Sequence, residues 1–253
     1  MGIMARAGTA HVPVEEGSAV MQTDVVRALL AALAWLAVTL GAYVIVKAVL
    51  PDLTPMAASL WIVAALALAV AAGVSGLGWW RAVGYTDPTE WRDTAWLAVP
   101  ALLTLLPLVT GIRPLEAGVL PLLVAGYALT GFAEETMFRG VLVRLLQGRS
   151  PSGIAAITAI LFGLVHLSNI LIRGNPPVIF AQAVGAAAFG FGYAAIRQRT
   201  NSVVPLIATH MLTDLFLQLG RLPLIPVAVV QDVILFGAGL WLLRGSGPAR
   251  PRA

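Results

Sequence analysis

The sequence predicts an all-α, polytopic membrane protein with about eight transmembrane helices. Three observations predict it. Charged residues make up only 11% of the 253-residue chain, against about 25% in soluble domains. Hydrophobic residues reach 59% and the mean hydropathy is +0.88, leaving too little polar surface for a water-soluble globule. The apolar residues also fall in runs of about 20, the length that crosses a bilayer core as a helix. The chain has no cysteine, which excludes a disulfide framework, a thiolate metal site and a cysteine nucleophile. A net charge of +4 in such a chain sets topology and does not indicate nucleic acid.

Residues 1–24 are polar and small, without the apolar core of a signal peptide, and are expected to form an irregular cytoplasmic tail. Eight apolar segments follow: Val25–Leu50, Ala57–Leu77, Thr94–Thr110, Leu115–Leu146, Ser152–Ile172, Val178–Ile196, Val203–Leu219 and Leu224–Leu243. Together, residues 25–243 form the transmembrane domain. Pro51, Pro151, Pro176, Pro177, Pro223 and Pro226 punctuate several of the breaks, because proline removes a backbone donor and cannot continue a helix. Trp79, Trp80, Trp91 and Trp96 flank the second loop, as an interfacial aromatic belt would. Residues 244–253 are rich in Pro and Arg and are read as a second irregular tail.

Basic residues fix the expected orientation. Arg6, Arg27, Arg81, Arg92, Arg144, Arg149, Arg197, Arg199, Arg244, Arg250 and Arg252 fall on the termini and even-numbered loops. Only Lys47, Arg113, Arg173 and Arg221 fall on the odd-numbered side. The positive-inside rule then places both termini in the cytoplasm, as an even number of spans requires. Lys47 is the only lysine. That skew, in an alanine-rich chain, points to a GC-rich bacterial genome and so to a bacterial cell (plasma) membrane.

Ionisable groups inside spans are costly and mark function by default. Here they are Glu134, Glu135 and Arg139 on the fourth segment, His166 on the fifth, His210 and Asp214 on the seventh, and Asp232 on the eighth. At about 1.5 Å per residue, Glu134, His166 and His210 lie roughly 15–21 Å from the cytoplasmic end. Three groups on three helices thus share a depth. Glu135 and Arg139 are four residues apart and can form an ion pair. Glu134 is rotated by about 100° from Glu135 and can turn to the histidines. The same i,i+4 spacing relates Phe162 to His166 and His210 to Asp214, so that Asp214 can orient the His210 ring. A glutamate beside a histidine can activate water, and a second polar pair can steady an oxyanion. Glu134, His166 and His210 also make up a His₂Glu zinc set, although no His-Glu-x-x-His helix is present.

These stretches resemble a known family. Ala133-Glu-Glu-Thr-Met-Phe-Arg-Gly140 resembles the glutamate-glutamate-xxx-arginine motif of the CAAX protease and bacteriocin-processing family (CPBP, or Abi). Phe162-Gly-Leu-Val-His166 resembles its Phe-xxx-His motif, and His210-Met-Leu-Thr-Asp214 its His-xxx-Asn/Asp motif. The likeness covers Leu120 to Leu217, in matching order and spacing. It implies a CAAX-type intramembrane peptidase, a hydrolase acting on a membrane-associated protein or peptide. It implies Glu134 and His166 as the water-activating pair, with His210 and Asp214 as oxyanion stabilisers. In a metalloprotease account Glu134, His166 and His210 would hold zinc; a metal-independent Glu/His mechanism is the alternative. Glu135, Arg139 and Phe162 would support the site. Prenyl-processing members tend to carry asparagine where Asp214 stands, which makes Asp214 better suited to holding His210 than to donating to an oxyanion.

Rival readings stand beside this one. The chain could be a catalytically silent immunity or scaffold protein that binds a peptide or partner, or a proton-coupled transporter using Glu134, His166 and Asp214 as a relay. The transporter reading expects an internal repeat, which the sequence does not show. Glu135 with Arg139 can equally be a purely structural pair. Asp232, beside Gln231, is expected near the end of its helix or paired with Arg221. Gly185, Ala186, Gly190 and Gly192 are read as sites of close helix packing.

Overall fold

Apolar runs separated by prolines leave the backbone one way to satisfy its polar groups in lipid, which is helix after helix. The computed structural model describes residues 14–116 and 118–244, with side chains from Gln22 onward, and helices dominate it. The described residues form eight helical segments. α1 is Val14–Val49 and α2 is Pro55–Gly76. α3 covers residues 91–108 and is a composite, with a 3₁₀ turn, an α-helix Ala98–Leu105 and a second 3₁₀ turn. α4 covers 119–145, with an α-helix Val119–Glu134, a π-helical turn Glu135–Val141 and a last α-turn Leu142–Leu145. α5 is Pro151–His166, extended by a short turn Asn169–Arg173. α6 is Pro176–Thr200, α7 is Val204–Leu219 and α8 is Leu224–Leu243.

The breaks follow local chemistry. Thr54 and Ser150 cap α2 and α5 by accepting from the backbone N–H of Ala57 and Gly153, and Pro55 and Pro151 occupy the first turn, where no donor is lost. α6 ends on Asn201 in the left-handed region, φ 57°, a helix stop that asparagine tolerates.

Two boundaries differ from the sequence reading. α1 already begins at Val14, inside the expected tail, and residues 1–13 and 245–253 lie outside the described residues. The third segment is no long helix, because Pro100 and Pro107 interrupt its hydrogen-bond ladder. Among the described residues, five helices can cross a membrane by length and composition: Gln22–Val49, Pro55–Gly76, Pro151–Arg173, Pro176–Thr200 and Leu224–Leu243. α7 is a shorter apolar helix, and α4 is divided by its π-turn. The spanning helices carry exposed Leu68, Ile160, Leu164 and Trp241 on their outward faces, as expected where lipid replaces water.

α6 is the hub, packed most closely on α5 and α8. Small residues allow this: a Cβ on Gly163 would sit 2.6 Å from the Ala183 carbonyl oxygen, and one on Gly192 2.4 Å from that of Leu235. The loops pair at two ends. At one end Arg113 N–H donates to Leu219 O (2.8 Å) and Arg221 N–H to Gly111 O (3.2 Å). At the other, Val203 N–H donates to Gly84 O (2.9 Å) and Thr89 N–H to Thr200 O (3.2 Å). Odd-numbered loops meet odd, and even meet even, as alternating spans demand.

Candidate active site

The fourth helix brings two adjacent carboxylates to the site. Its π-turn begins at Glu135, and a π-turn inside an α-helix often marks a functional position. Residues 135–140 are all buried. Glu135 Oε1 lies 2.7 Å from His210 Nδ1 and 3.1 Å from Arg139 Nη1. Its side chain is completely buried and that of Arg139 is 1% exposed. An uncompensated charge here would be prohibitive, and each is the other's counter-ion. Arg139 makes no aligned hydrogen bond through Nη1 or Nη2 among the described residues. Aromatic faces take that place: its guanidinium lies 4.1 Å from the Phe162 ring centre, 5.7 Å from Phe189 and 5.6 Å from Tyr193. Such cation–π contacts contribute about 0.5–2 kcal/mol each.

His210 sits where three carboxylates meet. Nδ1–H donates to Glu135, while Nε2 faces Glu134 Oε2 and Asp214 Oδ2 at 3.7 Å each. Glu135 therefore orients the ring, and Asp214 does not. Sequence spacing gave that role to Asp214 and left Glu135 to Arg139 alone. Phe189 at 4.9 Å and Phe162 at 6.4 Å wall the ring in. Below it, Tyr193 OH donates to Thr209 Oγ1 (3.0 Å), and Thr104 and Thr213 share a hydroxyl contact of 2.9 Å.

His166 is held separately. Its Nδ1 donates to the Phe162 carbonyl at 2.7 Å, and its ring stands edge-on to Phe162 at 4.6 Å. With Nδ1–H so engaged, the neutral ring keeps its lone pair on Nε2. Phe162 thus fixes His166 through its carbonyl and Arg139 through its ring. No hydrogen bond joins His166 to Glu134 among the described residues; what they share is a cavity.

That cavity has a volume of about 1220 Å³ and is largely apolar. Glu134, His166, His210 and Asp214 all line it, with Tyr127, Arg173 and Asp232. Its walls come from the halves of α5, α6, α7 and α8 nearest loops five and seven, and from the middle of α1, α2 and α4. The opposite end is packed shut by residues 77–90. There Tyr85 shares a 2.7 Å hydroxyl contact with Thr136, and Val83 lies against Gly140. Burial pushes the Tyr85 phenol above its ordinary pKa.

The candidate donors for zinc are Glu134, His166 and His210. Both histidines keep Nε2 for a ligand, and both have Nδ1 held by an oxygen, which is how metal-bound histidines are oriented. Among the described residues, however, no group of three His, Asp or Glu side chains converges closely enough to hold an ion.

Sequence reasoning missed Phe189 and Tyr193, whose i,i+4 spacing on α6 was the available signal. It also missed Tyr127, Tyr85 and Thr136. Arg221 does not pair with Asp232, because its Nε donates to Ile112 O at 3.1 Å.

No curated protein and no solved structure matches the chain. Residues 116–216 match the model of a family described as Rce1-like, type II CAAX prenyl endopeptidase Rce1-like. That stretch contains all three motifs, with Glu134, Glu135, Arg139, Phe162, His166, Phe189, Tyr193, His210 and Asp214. Over residues 116–216, somewhat less than half of its length, the chain is therefore similar to the Rce1-like CAAX prenyl endopeptidases.

Proposed function

We propose that the protein hydrolyses a peptide bond of a membrane-associated protein or peptide, using water activated by Glu134 and His166. One observation carries this reading: three separate motif helices deliver Glu134, His166 and His210 to the wall of one cavity within the membrane domain. Glu134 is the carboxylate free for the work. Its side chain is 17% exposed and makes no pair with Arg139, whereas Glu135 is committed to Arg139 and His210.

In this mechanism a water enters between Glu134 and the Nε2 side of His166. Glu134 takes its proton as the oxygen attacks the scissile carbonyl. His210 acts as the imidazolium: Nδ1–H is held by Glu135, and Nε2–H donates to the developing oxyanion. The proton on Glu134 then passes to the leaving amine, and two chain ends depart. Asp214 stands beside Nε2 and steadies the ring's charge, not the oxyanion. The apolar walls bind the extended substrate and exclude bulk water, which strengthens each of these interactions.

The variant series Glu134→Gln, His166→Ala and His210→Ala tests this on purified protein in detergent with a quenched-fluorescence peptide library. Each variant is expected to lose at least about 100-fold in cleavage rate while eluting as folded protein. A Glu134→Gln variant that cleaves at the wild-type rate would refute the mechanism.

A further inference from the structure

Asp232 is a carboxylate that the mechanism leaves unused. It lies about 12 Å along α8 from Leu224, and it lines the same cavity as Glu134 and His166. Its carboxylate has no hydrogen-bond or cationic partner among the described residues. The charged neighbour that acts on it is Asp214, another carboxylate. Arg173 is also on the cavity wall, but no ion pair joins it to Asp232 among the described residues. Arg221 is held by the Ile112 carbonyl.

The surrounding backbone makes room for this group. Across from it on α6 is Gly185, where a Cβ would stand 2.5 Å from Asp232 Oδ2. Any larger residue at 185 would press the carboxylate out of its recess. Ala228, Val229 and Val233 flank it with apolar surface. An unpaired carboxylate inside a span is costly and persists where it has something to bind. The cavity therefore has an acidic recess with apolar walls, continuous with the water-activating groups, whose carboxylate has no cationic partner among the described residues.

We infer that Asp232 is a specificity residue that receives a lysine or arginine side chain of the peptide substrate, in the recess between α6 and α8. The chemistry is complementary. The aliphatic stem lies along Ala228, Val229 and Val233, and the charged end forms a charge-assisted hydrogen bond with the carboxylate. Glu134 and His166 then act on a peptide bond a few residues from that anchor. The inference rests on the endopeptidase reading, and it adds a substrate class: apolar segments carrying a basic residue close to the cleaved bond.

Binding tests it without turnover. Short apolar peptides carry one lysine, moved position by position, and matched peptides carry neutral norleucine there. Affinity is measured by fluorescence anisotropy on full-length Glu134→Gln protein in detergent, with and without Asp232→Asn. At one or two positions lysine is expected to bind at least tenfold tighter than norleucine, and Asp232→Asn to erase the difference. Gly185→Ala keeps the carboxylate but fills its recess, and is expected to weaken the preference too. Should no lysine position be preferred, Asp232 is a structural group and the inference falls. It falls equally if the preference survives Asp232→Asn. Absence of cleavage by the wild-type protein would strike the endopeptidase reading while leaving this binding result to stand or fall alone.

Discussion

Arg139 carries its charge into the membrane core with one counter-ion and three aromatic faces for company. Removing it strands Glu135, so Arg139→Ala is expected to cost about 3–5 kcal/mol of stability, read by detergent-titrated unfolding. Arg139→Lys should also destabilise measurably, since an ammonium cannot lie flat over Phe162 while reaching Glu135. A wild-type unfolding midpoint for Arg139→Ala would contradict the buried ion pair. Glu134→Gln, by contrast, leaves that pair intact and should unfold at nearly the wild-type midpoint. In the proposed mechanism the two adjacent glutamates thus separate into one that serves stability and one that serves chemistry. Sequence alone could name both, and depth counting set them level with the histidines. It could not show that Glu135 orients His210, because ideal α-helical spacing sends the neighbours 100° apart and takes no account of the π-turn at 135–141.

At the scale of the element, α6 holds the site together. It supplies Phe189 and Tyr193 to the Arg139 cage, faces α5 through Gly163, and meets α8 through Gly192. Gly192→Ala is expected to force α6 and α8 apart, because its Cβ would meet backbone and not a yielding side chain. A cost of about 1–3 kcal/mol follows from such overpacking, visible as a lower melting temperature. An unchanged melting temperature would mean that the helices part without penalty. Several element ends were legible, since prolines act locally: Pro151 and Pro176 open helices as expected. The third segment was not, because hydropathy over Thr94–Thr110 registers apolarity and is blind to the donors lost at Pro100 and Pro107. The packing role of Gly192 was legible, as small residues on apolar helices signal close approach. Gly185 was only half so: what fills its space is the Asp232 carboxylate, a long-range contact.

The whole molecule has two unlike ends. Arg27, Arg81, Arg92, Arg144, Arg149, Arg197, Arg199 and Arg244 gather at the end sealed by residues 77–90. The cavity's walls lie toward the other end, where loops five and seven sit. If the positive-inside rule governs, substrate reaches the site from the extracytoplasmic side. The chain has no cysteine, so single introduced thiols report cleanly. Asn175→Cys is expected to react with a membrane-impermeant maleimide on intact cells, and Gly148→Cys only after permeabilisation. The reverse pattern would invert the protein and turn the cavity toward the cytoplasm. Helix number and parity could be read from the sequence because lipid imposes them. The cavity could not, since it depends on how far apart non-adjacent helices stand.

The central claim is that this membrane domain cuts peptide bonds. It is tested most directly by comparing protein termini, by mass spectrometry, in membranes of cells carrying the wild-type protein or Glu134→Gln. The mechanism requires new termini that appear with the wild type and vanish with Glu134→Gln. Identical termini, with both proteins folded and the native partners expressed, would contradict it and leave a protein that binds in this cavity without cutting.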